Sequence, residues 1–110
     1  MFEIEKKNSA KNVHLVLLDC TLRDGGYYND WDFPVDVVNR YLAAMKAARV
    51  DVVEVGFRFL KNDSFKGACA YTTDDFLASL DIPSGLTVGV MVNAADLCSD
   101  IGWQAAIEQL

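Results

Sequence analysis

Three short, unbroken apolar runs divide the chain, and between the first two the apolar residues recur at helical spacing. The runs are "HLVLLDC" (14–20), "VDVVEVGF" (50–57) and "LTVGVMVN" (86–93). Each has strand length, and continuous apolarity suits strands buried on both faces, as in a parallel sheet. The second is rich in β-branched residues, which favour strands. From Pro34 to about Arg49, residues Val37, Val38, Tyr41, Leu42, Met45 and Ala48 mark one helical face. Pro34 suits the first helical turn, and Asp36 complements the positive end of the helix dipole.

The intervening segments are polar. "TLRDGGYYNDWDF" (21–33) reads as a glycine-containing loop with inserted aromatics, and residues 58–71 as a long irregular connection. Thr72, with Asp75 three residues on, resembles a capping box for a short helix ending near Leu80. "IPSG" (82–85) is a turn. "SDIGWQAAIEQL" (99–110) predicts a final helix with Ser99 or Asp100 as cap. Residues 1–12 read as a polar leader.

The order β-α-β-α-β-α predicts an α/β fold of parallel strands joined by crossover helices. Two architectures fit it: an open doubly wound sheet, or part of a (β/α) barrel. Three βα units cannot close a barrel, which needs eight and typically about 250 residues. The last helix reaches Leu110 with no stop signal. Residues 13–110 are therefore expected to be the opening portion of something larger.

Composition agrees with a globular chain: 52% of the 110 residues are hydrophobic and 24% charged. A net charge of -6 without a Lys/Arg cluster argues against nucleic acid or an anionic membrane as partner. Cys20, Cys69 and Cys98 show no C-x-x-C spacing, which argues against a disulfide framework or a cysteine zinc site. Reduced thiols in a cytoplasmic protein are expected. The leader is charged and lacks the apolar core of a signal peptide, and "VHLVLL" is too short to span a bilayer.

Chemistry in α/β sheets and barrels sits beyond the carboxyl ends of the strands. The first such end carries Thr21, Arg23, Asp24, Gly25 and Gly26. Asp24 is a hard oxygen ligand for a divalent cation, Arg23 a donor fork for a carboxylate or oxyanion. The two glycines would let the backbone turn and leave room for a ligand. An ordinary surface Arg–Asp pair is the competing reading. Glu54 lies within the second run, where a carboxylate is costly unless paired. Alternation places Val53, Val55 and Phe57 on one face and Glu54 on the other. Either Glu54 points into a site, or it forms a structural ion pair with Arg23 or Arg58. Asn93 suits a helix cap, and His14, the sole histidine, a packed or surface position.

Asp19-Cys20-Thr21-Leu22-Arg23-Asp24-Gly25, followed by Glu54 on the next strand, resembles the DRE-TIM metallolyase superfamily. That group includes 4-hydroxy-2-oxovalerate aldolase, 3-hydroxy-3-methylglutaryl-CoA lyase and isopropylmalate synthase. The resemblance implies the first three βα units of a TIM barrel that makes or breaks a carbon–carbon bond next to a carbonyl. It implies that Asp24 binds Mn2+ or Mg2+, that Arg23 stabilises an enolate oxygen, and that Glu54 holds the arginine or a nearby water. The substrate would be a 2-oxo acid or acyl compound, and the partner the rest of the barrel or a second copy. Two features depart from the family pattern. Its later His-x-His pair is absent, and Tyr27 stands where the aldolases carry histidine and the synthases often glutamine. Tyr27 is thus the candidate proton carrier, and Tyr28 a packed loop residue. The 110 residues alone are expected to be inactive. The alternative is a truncated barrel segment acting as an assembly module through its unpaired strand edges.

Overall fold

The computed structural model describes residues 13–98 and 101–110; the expected leader (1–12) and the expected caps Ser99 and Asp100 lie outside them. Among the described residues the strands are β1 (Leu18–Asp19), β2 (Val52–Phe57) and β3 (Thr87–Met91). The helical segments are α1 (Thr21–Gly25), α2 (Val35–Ala47), α3 (Ala68–Tyr71), α4 (Asp74–Ser79), α5 (Ala94–Leu97) and α6 (Trp103–Gln109). The strands form one parallel sheet in the order β1-β2-β3. The chain is a small α/β domain, with each strand reached from its neighbour by a helical crossover.

The core lies between the sheet and α2. Val53 and Val55 share a fully buried cluster with Val38 and Leu42 of α2. The helix ends at Ala47 with Ala48 as its cap, and Arg49 turns the chain with φ 63°. The amide of Val50 then donates to the carbonyl of Met45 and leads the chain into β2.

β1 departs from expectation. Only two of its residues pair, and Val13, Leu15, Val16, Leu17 and Leu18 are exposed. The reason is register. β2 begins at Val52, opposite Leu18, so the residues before Leu17 face no partner strand. β1 is a sheet edge here, and the apolar run that suits a strand buried on both faces is covered on neither.

Phe57 also departs. Glu54 pairs with Gly89 but Gly56 pairs with Val90, so Val55 is a bulged residue. A bulge leaves two successive residues on one face and reverses the alternation beyond it. Gly56 therefore turns toward α3, where a Cβ would stand 1.8 Å from the Cys69 carbonyl oxygen. Phe57 joins Glu54's face. It stacks on Phe59 at 4.3 Å and meets Trp31 edge-on at 5.4 Å.

The helix near Leu80 is capped one residue later than expected. The Thr73 hydroxyl accepts from the Phe76 amide at 3.1 Å. Thr72 is fully buried, with φ 34°, and its hydroxyl donates to the Cys69 carbonyl as α3 ends. Asn93 caps α5 by accepting from the Ala95 amide. The last helix starts at Trp103, with Gly102 before it at φ 85°.

Candidate functional site

The segment expected to be a loop after β1 is instead a helical turn. α1 spans Thr21–Gly25 and passes into a 3-10 turn at Gly26–Tyr28. Asp19 anchors its start: its carboxylate accepts from the Thr21 amide at 3.1 Å, the Thr21 hydroxyl at 2.9 Å and the Tyr41 hydroxyl at 2.5 Å. Burial works against the Asp19 charge, but these hydrogen bonds outweigh it and hold its carboxyl below the usual range. The same environment raises the Tyr41 phenol, by burial first and then by the Asp19 contact.

Gly25 and Gly26 do not make a sharp turn; the Gly26 φ is an ordinary helical -60°. Gly26 is required by space: a Cβ would fall 1.8 Å from Trp31 Cδ1. Trp31 is buried with φ 57°, a costly conformation for an aromatic residue. Two hydrogen bonds offset that cost. The Trp31 amide donates to the Gly26 carbonyl at 3.0 Å, and the indole Nε1 donates to the Arg23 carbonyl at 2.8 Å. The indole thus fixes the backbone that carries Arg23.

The Arg23 side chain lies between two carboxylates. Nε donates to Glu54 Oε2 at 2.7 Å, and Nη1 to Asp24 Oδ1 at 2.9 Å. Arg23 and Glu54 are largely buried, at 22% and 15% exposure, whereas Asp24 is 59% exposed. The Glu54 hydrogen bond raises the Arg23 guanidinium further above its already high range, so its charge is permanent. No hydrogen bond from Nη2 forms among the described residues. A fixed cation with a free donor, beyond the end of a parallel strand, can receive an anion or a developing oxyanion. Of the two partners open to Glu54, the structure selects Arg23. Arg58 instead donates to the carbonyls of Thr72 and Leu110 and to Asp74.

Asp24 is the residue on which a metal would rest. Its second oxygen accepts from the Cys20 thiol at 3.5 Å, and that thiol is pushed up by desolvation and then by Asp24, so it stays protonated. Among the described residues no three His, Cys, Asp or Glu side chains gather into a set that could hold a metal ion. His14 is exposed near the opposite end of β1. Tyr27 is 65% exposed, its ring edge-on to Trp31 at 4.8 Å. Cys69 is buried and its thiol pushed up to about 11 by desolvation, leaving it chemically quiet.

The contributions of Trp31 and Tyr41 are not legible as a motif. Trp31 lies in an Asn/Asp-rich loop with no period, and Tyr41 reads simply as part of the apolar helix face.

No family model and no curated protein matches the chain. It is similar to a crystal structure described as the "N-terminal domain of a putative aldolase" from Bacteroides vulgatus, with 38% identity over 71% of this chain and a TM-score of 0.60. The match takes in 25% of that protein, so the chain spans about a quarter of its length. This likeness supports an aldolase-like fold. Among the described residues, no helix is long and apolar enough to cross a membrane.

Proposed function

We propose that the chain is the opening part of an aldolase-type TIM barrel of the DRE-TIM kind, which makes or breaks a carbon–carbon bond next to a carbonyl through an enolate. The observation that carries this reading is the Arg23 guanidinium, clamped by Glu54 and Asp24 with Nη2 left free. In cleavage of a 4-hydroxy-2-oxo acid, a base takes the proton of the C4 hydroxyl. The C3–C4 bond breaks to release an aldehyde, and its electron pair becomes the enolate of pyruvate. Arg23 donates to the C2 oxygen as negative charge develops there, and C3 then takes up a proton. Tyr27, whose hydroxyl has no partner among the described residues, is the candidate carrier of that proton.

The Mn2+ or Mg2+ that the resemblance implies does not fit these residues alone. Asp24 is a single carboxylate with both oxygens engaged, and tight sites need several ligands.

The exposed run Leu15–Leu18 supports the barrel reading, since a neighbouring strand would cover it. The same exposure would serve the alternative, an assembly module; in size-exclusion chromatography the module should show a concentration-dependent oligomer joined through its open strand edges, and a well-folded monomer would argue against it. The enzymatic reading is tested by pyruvate release from a 4-hydroxy-2-oxo acid. The full-length protein should release it, and Arg23→Ala should lower kcat by about 10²–10³-fold, the usual effect of losing one oxyanion donor. Equal turnover by Arg23→Ala would refute the role of the guanidinium.

A further inference from the structure

A cleft of about 400 Å3 opens beside this site, and residues following all three strands line it. Its wall is aromatic, from Tyr27, Trp31 and Phe59. Its rim is a mixture of donors and acceptors. The Lys66 ammonium lies 5.3 Å from the Trp31 ring centroid and 5.8 Å from that of Phe59. No carboxylate lies within ion-pair distance of it among the described residues. Asp30 lines the cleft and its carboxylate takes no hydrogen bond from the described residues. Asn93 uses its carbonyl oxygen on the Ala95 amide, so its NH2 is left to donate.

The cleft is held by contacts on both sides. The Gly67 amide donates to the Asp30 carbonyl at 2.8 Å, and a Cβ on Gly67 would stand 2.3 Å from Asp32 Cα. The Leu60 amide donates to Asp96 Oδ2 at 3.1 Å. Trp31 joins the cleft to the site, since it lines the one and bonds the Arg23 carbonyl in the other.

We propose that this cleft receives a polyhydroxylated segment of the substrate, the tail of the aldehyde half; the assignment of that tail to a substrate rests on the aldolase reading. A hydroxyl both donates and accepts, and so matches a rim of one ammonium, the Asn93 NH2 and carboxylates. A carboxylate tail would meet Asp30 and Asp96 against a single Lys66. An alkyl tail would strip water from these polar groups without replacing their hydrogen bonds. The aromatic wall provides a surface for the C–H face of such a chain.

The test uses the full-length protein and three four-carbon probes, erythritol, butan-1-ol and succinate, followed by ligand-observed saturation-transfer NMR. Erythritol should bind at least tenfold tighter than the other two. Asp30→Asn should weaken it at least fivefold, and Asn tolerates the φ of 55° found at position 30. Lys66→Met, which removes the ammonium over the Trp31 ring, should weaken it as well. Succinate or butanol binding as tightly as erythritol, no erythritol binding, or indifference to both substitutions would overturn the proposal. Exchange of pyruvate methyl protons with D2O involves no aldehyde, so it tests the aldolase reading separately: exchange without erythritol binding would sink the cleft assignment alone.

Discussion

Arg23 and Arg58 occupy similar places, and their side chains are almost equally exposed, at 22% and 23%. Each follows a strand, and each contacts a carboxylate. They differ in where the remaining donors go. Arg58 donates to two main-chain carbonyls, Thr72 and Leu110, and so joins β2 to the end of α3 and to the end of α6. Its carboxylate partner, Asp74, is almost fully exposed. Arg23 donates only to side chains, holds a largely buried glutamate, and keeps one nitrogen free. One guanidinium is consumed by the architecture. The other is placed by it and left available. The contrast separates an arginine whose donors are all engaged from one with a donor left over among the described residues, which neither exposure nor the presence of an ion pair does.

The largest expected effect is on Arg23. Arg23→Lys keeps the charge but cannot reach Glu54, Asp24 and a substrate oxygen at once, so turnover should fall about 100-fold. Steady-state kinetics of pyruvate release checks this. Glu54→Gln keeps an acceptor for Nε and removes the charge; kcat should fall roughly tenfold, or about 1.4 kcal/mol, with little change in KM. Arg58→Ala should act in the opposite sense. It leaves two carbonyls without their donor, costing about 1–3 kcal/mol in a urea melt, while kcat per folded molecule is retained. Loss of catalysis in Arg58→Ala with stability intact would erase the distinction between the two arginines.

The smallest effect concerns the anchor of the turn that carries Arg23. Asp19 has its folded value lowered, so its contribution to stability is full above the unfolded value of about 3.9 and is lost as pH falls through the folded one. Tyr41 has its folded value raised, so its contribution is full below about 10 and is lost as pH rises through the folded value. Tyr41→Phe should cost about 0.5–1.5 kcal/mol at neutral pH. It should also flatten stability at the alkaline end and weaken the acid-side loss, as read from melts across pH.

Much of the scaffold for this contrast was legible in the sequence. The helix from Val35 and strands β2 and β3 follow directly from apolar period and β-branching. Arg23, Asp24 and Glu54 stood out as charges at strand ends, and they do converge. The failures share a cause, since each depends on a neighbour that periodicity does not reveal. The apolar run 14–18 suits a strand covered on both sides, but the described residues give β1 one partner only. The bulge at Val55 reverses Phe57, and no local residue preference announces it. Gly26 reads as a turn former, whereas an indole five residues on excludes any side chain there. The choice between Arg23 and Arg58 as partner of Glu54 depended on the helical turn that carries Arg23 and on the path of the chain after β2.

The most direct test of the central claim is exchange of the pyruvate methyl protons with D2O, followed by NMR, for the full-length protein and its Arg23→Lys and Arg58→Ala variants. Exchange breaks the C3–H bond: a base takes the proton, the electron pair becomes an enolate whose oxygen must be stabilised, and C3 takes up deuterium from solvent; no aldehyde is needed. The account predicts ready exchange in the parent and in Arg58→Ala, and a loss of about 100-fold in Arg23→Lys. Equal exchange rates in the parent and Arg23→Lys would contradict it.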